Sequence, residues 1–227
     1  IRRAASDVYK RQYQDSGTQN SEAVLHAETV HKERLRVQKL QQEMLLLNEQ
    51  LMVQSQHDAL TGLPNRAYLN NYAEETLSKA LKNQVNFGIE ILDIDFFKSV
   101  NDTYGHMEGD HYLTAVADLL SRITEEYSNV FAARYGGDEF VLVYYDKSVD
   151  EIKEIMNQLK LSTVSVKLPA ISQLGEDHVT LSQGCCNRIP EPLNRLWDYL
   201  ARADTVLYDV KKKGKNNYKV SERFKKA

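Results

Sequence analysis

Two carboxylates, Asp138 and Glu139, directly follow a glycine pair, Gly136-Gly137, between the apolar, β-prone runs 130–133 and 140–145. This pattern predicts a β-hairpin with two acids at its tip. Glycines allow positive φ and let a ligand come close to the backbone, while adjacent carboxylates can hold a hard cation or move a proton. A solvated turn has the same local pattern, so a second group must complete the site. Asp93 and Asp95 supply candidates at the end of the apolar run 86–95, a predicted buried strand, and Phe96-Phe97-Lys98 then opens a helix. Strand C-termini and helix N-termini are favoured places for ligands and phosphates. Asp93 and Asp95 are expected to alternate across the strand, so that only one of them faces the hairpin. Asp93 is placed opposite Asp138 as a metal ligand, whereas helix capping accounts for Asp95 as well as function does. Two Mg2+ ions bridged by such acids would neutralise a triphosphate and favour in-line attack at phosphorus.

A third cluster is Asn101-Asp102-Thr103-Tyr104-Gly105-His106-Met107-Glu108-Gly109-Asp110. Asp110 can accept both the N1 hydrogen and the exocyclic amine of guanine, and the Asn101 amide can serve the remaining edge. Adenine has no N1 hydrogen, so this pair favours GTP. Capping by Asp110, at the start of the next helix, is the alternative. A fourth cluster, Lys211-Lys212-Lys213-Gly214-Lys215, suits either a helix C-terminus capped by Gly214 or an anion.

The elements that must position these groups follow from periodicity. Helices are expected at 65–82, after Gly62 and Pro64, and along the face marked by Leu113, Val116, Leu119, Leu120 and Ile123. Further on, 149–159 reads as a helix, 163–167 and 179–186 as strands, and 193–212 as a last helix whose apolar face includes Trp197 as a core residue. Cys185 and Cys186 lie in the strand 179–186, point to opposite faces and are expected to be buried and unbridged, which fits a cytoplasmic setting.

Upstream, no Gly or Pro interrupts residues 22–61. Val30, Val37, Met44 and Leu51 recur every seven residues, with Leu40 and Leu47 in alternate seam positions, which predicts a parallel dimeric coiled coil over 22–56. An amphipathic helix packed on its own domain is the simpler alternative. Residues 1–21 are expected to be a disordered or non-native leader. The run Asp7-Val8-Tyr9-Lys10-Arg11-Gln12 matches the in-frame translation of a transposase end used in sequencing libraries, so an upstream sensor domain is expected to be missing. The 227 residues carry 29 Lys plus Arg against 32 Asp plus Glu, a net charge of -3, which argues against a nucleic-acid partner. No apolar run approaches the roughly 20 residues of a membrane span, though tethering of the full-length protein stays open.

Together, Asp58-Ala-Leu-Thr-Gly-Leu-Pro-Asn-Arg66, Asp93-Ile-Asp-Phe-Phe-Lys98, Asn101-Asp-Thr-Tyr-Gly-His106, Gly109-Asp110 and Arg134-Tyr-Gly-Gly-Asp-Glu-Phe140 resemble the bacterial GGDEF-domain diguanylate cyclases. The resemblance implies an α+β fold like the palm of nucleotidyl cyclases, a mostly antiparallel sheet flanked by helices, over residues 57–220, with a C-terminal tail at 221–227. It implies condensation of two GTP into cyclic di-GMP and two pyrophosphates at a homodimer interface. By position, Asp93, the Ile94 carbonyl, Asp138 and Glu139 would hold two Mg2+ or Mn2+ ions, and Glu139, Asp138 and Lys98 would act in catalysis. Asn101 and Asp110 would grip guanine. Phe96, Phe97, Lys98, His106, Gly136, Gly137, Lys211 and Lys215 would complete the substrate site.

Three departures stand out. Lys215 occupies a position more often Arg, Gln183 stands where the family segment usually reads Ser-Ile-Gly, and Tyr127-Ser128-Asn129-Val130 replaces an Arg-x-x-Asp product-inhibition motif. Feedback through that motif is therefore expected to be absent. A catalytically silent GTP-binding module and a coiled-coil adaptor are the competing readings.

Overall fold

The computed structural model describes residues 30–46, 56–166 and 178–224. The chain divides into two units, Ile1–Gln54 and Ser55–Ala227. In the first, residues 30–46 form helix α1, on which Val30, Val37, Leu40 and Met44 are all at least half exposed. The rest of the expected coiled coil, and the leader, lie outside the described residues. No helix among the described residues is long and apolar enough to cross a membrane.

The second unit is built on a five-stranded sheet ordered β2-β3-β1-β4-β5. Strands β1 (Phe87–Ile94), β2 (Val130–Gly136), β3 (Glu139–Tyr145) and β4 (Leu181–Arg188) pair antiparallel, and β5 (Asn217–Ser221) joins β4 in parallel. Every residue of β1 is buried, because helices cover both faces. Alternation sorts the side chains into two cores. Leu92, Ile94, Phe140, Leu142 and Tyr144 meet α4 (His106–Glu126) and α5 (Val149–Ser162) on one side. Phe87, Ile89, Ile91, Val141 and Val143 meet α2 (Arg66–Asn83) and α6 (Leu196–Lys212) on the other. Cys185 and Cys186 are free, buried and divided between these two cores.

Helix α6 lies directly on β4. A Cβ at Gly184 would sit 2.2 Å from the Leu207 amide nitrogen and 2.6 Å from the Ala203 carbonyl oxygen, so only glycine allows the approach that seats α6. Buried in the first core, Gln183 donates to the Met156 carbonyl at 3.0 Å. The Tyr144 hydroxyl donates to Glu90 at 2.5 Å, and Glu90 Oε1 and Gln183 Oε1 have no hydrogen-bond partner among the described residues.

Several expectations need correction. Thr163–Ser165 is a 3-10 turn continuing α5, not a strand: Thr163 Oγ1 donates to the Lys160 carbonyl and Ser165 Oγ to that of Ser162. These local bonds override the β-propensity of Thr163 and Val164. Trp197 is 69% exposed rather than a core residue, because Tyr199 and Ala203 are the ones that face β4. Strand β5 runs to Ser221 and the Phe224 ring packs edge-on against Tyr199, so ordered structure extends into the expected tail.

Candidate active site

The hairpin forms as expected. Gly136 and Gly137 have φ of 152° and 57°, and the register shifts between Arg134 and Gly136, which turns the tip toward the end of β1. There Asp93 pairs in register with Glu139, and the Ile94 amide donates to the Asp138 carbonyl at 3.4 Å. Helix α6 brings Lys211 to the same place, with Nζ 2.7 Å from Asp93 Oδ2. Burial pushes the Asp93 carboxyl up to about 6, against the Lys211 hydrogen bond, with Asp138 and Asp95 adding to the rise. Glu139 is raised as well, first by burial and then by Asp138, while Lys211 and Arg66 oppose the shift and Asp204 adds to it. Asp204 and Lys211 are seven residues apart on α6 and share a face, a spacing from which Asp204 could have been found.

The expected division between Asp93 and Asp95 is wrong in its cause. Residues two apart on a strand share a face, and the two charges act on each other. Their partners separate them: Asp95 is buried and accepts from Ser182 Oγ, Thr180 Oγ1 and the Asn216 amide. Nor does Asp95 cap the next helix. Helix α3 (Phe97–Tyr104) has Phe96 at its N-cap, at φ 63° and without a side-chain cap bond. Lys215 Nζ lies 3.5 Å from the centroid of the Phe96 ring. Lys98 is exposed.

Asn101 and Gly109 form a separate wall. A Cβ at Gly109 would fall 2.0 Å from Asn101 Oδ1, so glycine makes room for that side chain. Asn101 Oδ1 is buried with no hydrogen-bond partner among the described residues. Asp110 and His106 are exposed, and α4 begins at His106, so Asp110 lies past the helix start and is not its cap.

Arg134 joins the hairpin to the segment before α2. It donates from Nε and Nη2 to the Gly137 carbonyl (3.2 and 2.8 Å) and from Nη1 to Asp58 at 2.9 Å. Burial of Asp58 is outweighed by its hydrogen bonds from Arg134 and Thr61, which hold the carboxyl below its usual value. The Arg66 guanidinium sits 4.3 Å from the Tyr135 ring centroid.

Among the described residues, no three acidic, histidine or cysteine side chains converge as a ready-made metal cage. Buried Asp93 beside Asp138 and Glu139 instead suits Mg2+, which takes one or two carboxylates and completes its octahedron with phosphate oxygens and water.

The family model described as "Diguanylate cyclase, GGDEF domain" matches residues 55–217, well over half of the chain. The chain belongs to the GGDEF domain family. Among curated relatives, diguanylate cyclase DgcZ of Escherichia coli is 33% identical over 167 residues, covering 73% of this chain and 53% of that protein. YhcK of Bacillus subtilis, an uncharacterized protein, is 35% identical over 185 residues, or 78% of this chain and 49% of that one. The chain thus spans about half the length of these relatives. Among solved structures, the coiled coil and GGDEF domain of DgcB from Caulobacter crescentus, in complex with c-di-GMP, is 30% identical with a TM-score of 0.68. It covers 88% of this chain and 98% of its own. Diguanylate cyclase SiaD of Pseudomonas aeruginosa, solved with its activator SiaC, is 26% identical with a TM-score of 0.67, covering 95% and 81%. The GGDEF domain accounts for the sheet, the hairpin and the acids at its tip.

Proposed function

We propose that this chain is a diguanylate cyclase that condenses two GTP into cyclic di-GMP and two pyrophosphates. The observation that carries the reading is the convergence of Asp93, Asp138, Glu139 and Lys211 at one end of the sheet. Two neighbouring carboxyls raised by burial, Asp93 and Glu139, are costly for a fold and useful to a cation-assisted enzyme. Asp93, the Ile94 carbonyl, Asp138 and Glu139 would hold Mg2+ or Mn2+, which when bound neutralises phosphate charge and acidifies the attacking 3'-hydroxyl.

The chain's own groups do the rest. Asn101 Oδ1, an acceptor with no partner among the described residues, takes one hydrogen of the guanine exocyclic amine, while Asp110 takes the other and the N1 hydrogen. Lys98, Lys211, Lys215 and the amides of Phe96 and Phe97 bind the triphosphate, and His106, Gly136 and Gly137 line the nucleotide. Glu139, with its raised carboxyl, accepts the 3'-hydroxyl proton as that oxygen attacks the α-phosphate of the second GTP and pyrophosphate leaves.

Each domain supplies half of the reaction, so two must meet face to face. The exposed heptad residues of α1 support a parallel coiled-coil homodimer that brings them together. Tyr127 and Val130 carry no charge in place of the Arg-x-x-Asp motif, so product feedback through that motif is lost.

Incubation with GTP and Mg2+, followed by mass spectrometry, tests the reading: cyclic di-GMP and pyrophosphate should form, and Glu139→Gln should stop both. GTP binding without product from the unmodified chain would favour a silent regulatory module. Absence of binding would favour an adaptor.

A further inference from the structure

The turn that follows α6 is held in an unfavourable shape. Gly214, Lys215 and Asn216 have successive φ values of 117°, 62° and 43°, a region that glycine and asparagine tolerate and the lysine side chain disfavours. Phe96, whose ring receives Lys215, is also left-handed at φ 63°. Between them lies Asp95. Its Oδ2 accepts the Asn216 amide at 2.9 Å and Thr180 Oγ1 at 3.0 Å, and its Oδ1 accepts Ser182 Oγ at 2.7 Å. The Asp95 amide donates to the Thr180 carbonyl at 2.9 Å. One carboxylate thus joins the end of β1, the start of β4 and the turn between α6 and β5.

We propose that Asp95 is a positioning residue for triphosphate binding, which fixes the 214–216 turn so that Lys211 and Lys215 face the same anion. It acts through the lysines and touches no substrate. Four observations support this: burial, three donors on one carboxylate, consecutive left-handed residues, and two lysines placed by the turn, Lys215 within it and Lys211 in the last turn of α6. A carboxylate that only capped α3 would reach the helix amides, and Asp95 reaches residues 85 to 121 positions away instead.

The inference rests on the cyclase reading, and its test separates the two. The full chain, Asp95→Ala and Asp95→Asn are titrated by calorimetry with GMP and with a GTP analogue carrying a methylene between the α- and β-phosphorus, in Mg2+. Amide hydrogen exchange is followed over residues 211–217. Asp95→Ala should narrow the preference for the triphosphate over GMP about tenfold or more, leave GMP affinity unchanged and speed exchange at Asn216. Asp95→Asn should restore most of the preference, because its carbonyl can take the Asn216 amide and its NH2 can face the Ser182 hydroxyl. An unchanged preference, or equal losses for GMP and the triphosphate, overturns the proposal. If the unmodified chain binds neither nucleotide, the cyclase reading falls, and exchange at Asn216 still decides whether Asp95 holds the turn. Should Asp95→Ala not fold, the Thr180→Val, Ser182→Ala double variant removes both hydroxyl supports and is read in the same way.

Discussion

Lys211 Nζ lies 2.7 Å from Asp93 Oδ2, at the point where β1, the hairpin and α6 meet. Without this cation, Asp93 would face Asp138 and Asp95 in a buried setting with no counter-charge. Lys211→Met is therefore expected to destabilise the domain by about 1–3 kcal/mol, read by urea unfolding, and to weaken GTP binding at least tenfold. Asp93→Asn should do the opposite to stability, raising Tm by removing the strained charge while abolishing product formation. A fall in Tm for Asp93→Asn would show that the pair, rather than the repulsion, dominates.

Glu90 gives a pH dependence that is independent of the site. Burial pushes its carboxyl up to about 7, although the Tyr144 hydroxyl donates to it. The folded state therefore binds more protons than the unfolded chain between about pH 4.5 and 7. Glu90's contribution to stability is full below that window, declines across it and is flat above it, with an amplitude on the order of 3 kcal/mol. Because Asp93 slopes the same way, the diagnostic quantity is the difference between the unmodified chain and Glu90→Gln in urea unfolding at pH 5 and pH 8. Parallel curves would exclude a proton on Glu90.

Gly109→Ala places a methyl 2.0 Å from Asn101 Oδ1 and must displace that side chain. Nucleotide affinity should drop about tenfold or more for GTP and GMP alike, in contrast to the triphosphate-selective loss predicted for Asp95→Ala. Calorimetry with both nucleotides distinguishes the two walls of the site.

Arg134→Lys keeps the charge but loses the fork that reaches Asp58 and the Gly137 carbonyl together. Hydrogen exchange should quicken at both 57–64 and 136–139, and stability should fall by about 1–3 kcal/mol. Exchange confined to one of the two segments would mean that they are not coupled through Arg134.

Leu40→Asp, on the exposed seam of α1, should shift sedimentation toward monomer and make specific activity depend steeply on protein concentration. Full activity of the monomeric variant at low concentration would remove the coiled coil from the mechanism.

Strands β1 to β4, the hairpin and the face of α4 were legible because alternation and helical spacing record burial directly, whereas β5 was not expected and a strand was wrongly expected at 163–167. Asn101 and Gly109 were visible as types, but the 2.0 Å relationship that makes glycine necessary was not. Trp197 misled because hydrophobicity alone does not say which stretch of an apolar stripe reaches the sheet. Its exposure makes the single tryptophan open to iodide quenching in the folded protein. Asp95 misled for a different reason. A carboxylate before a helix looks like a cap, and partners 85 to 121 residues downstream leave no local trace.

That separation also has a consequence in time. During synthesis, the hairpin and Asp93 leave the ribosome well before Lys211 and Asn216 do, and β5 is the last strand of the chain to be made. A nascent chain can therefore pair β1 with β3 while Lys211 and Lys215 are still untranslated. The cluster is completed by the closing residues of the domain, so an unfinished polypeptide carries Asp93 and Asp95 without the Lys211 cation and the Asn216 amide that partner them.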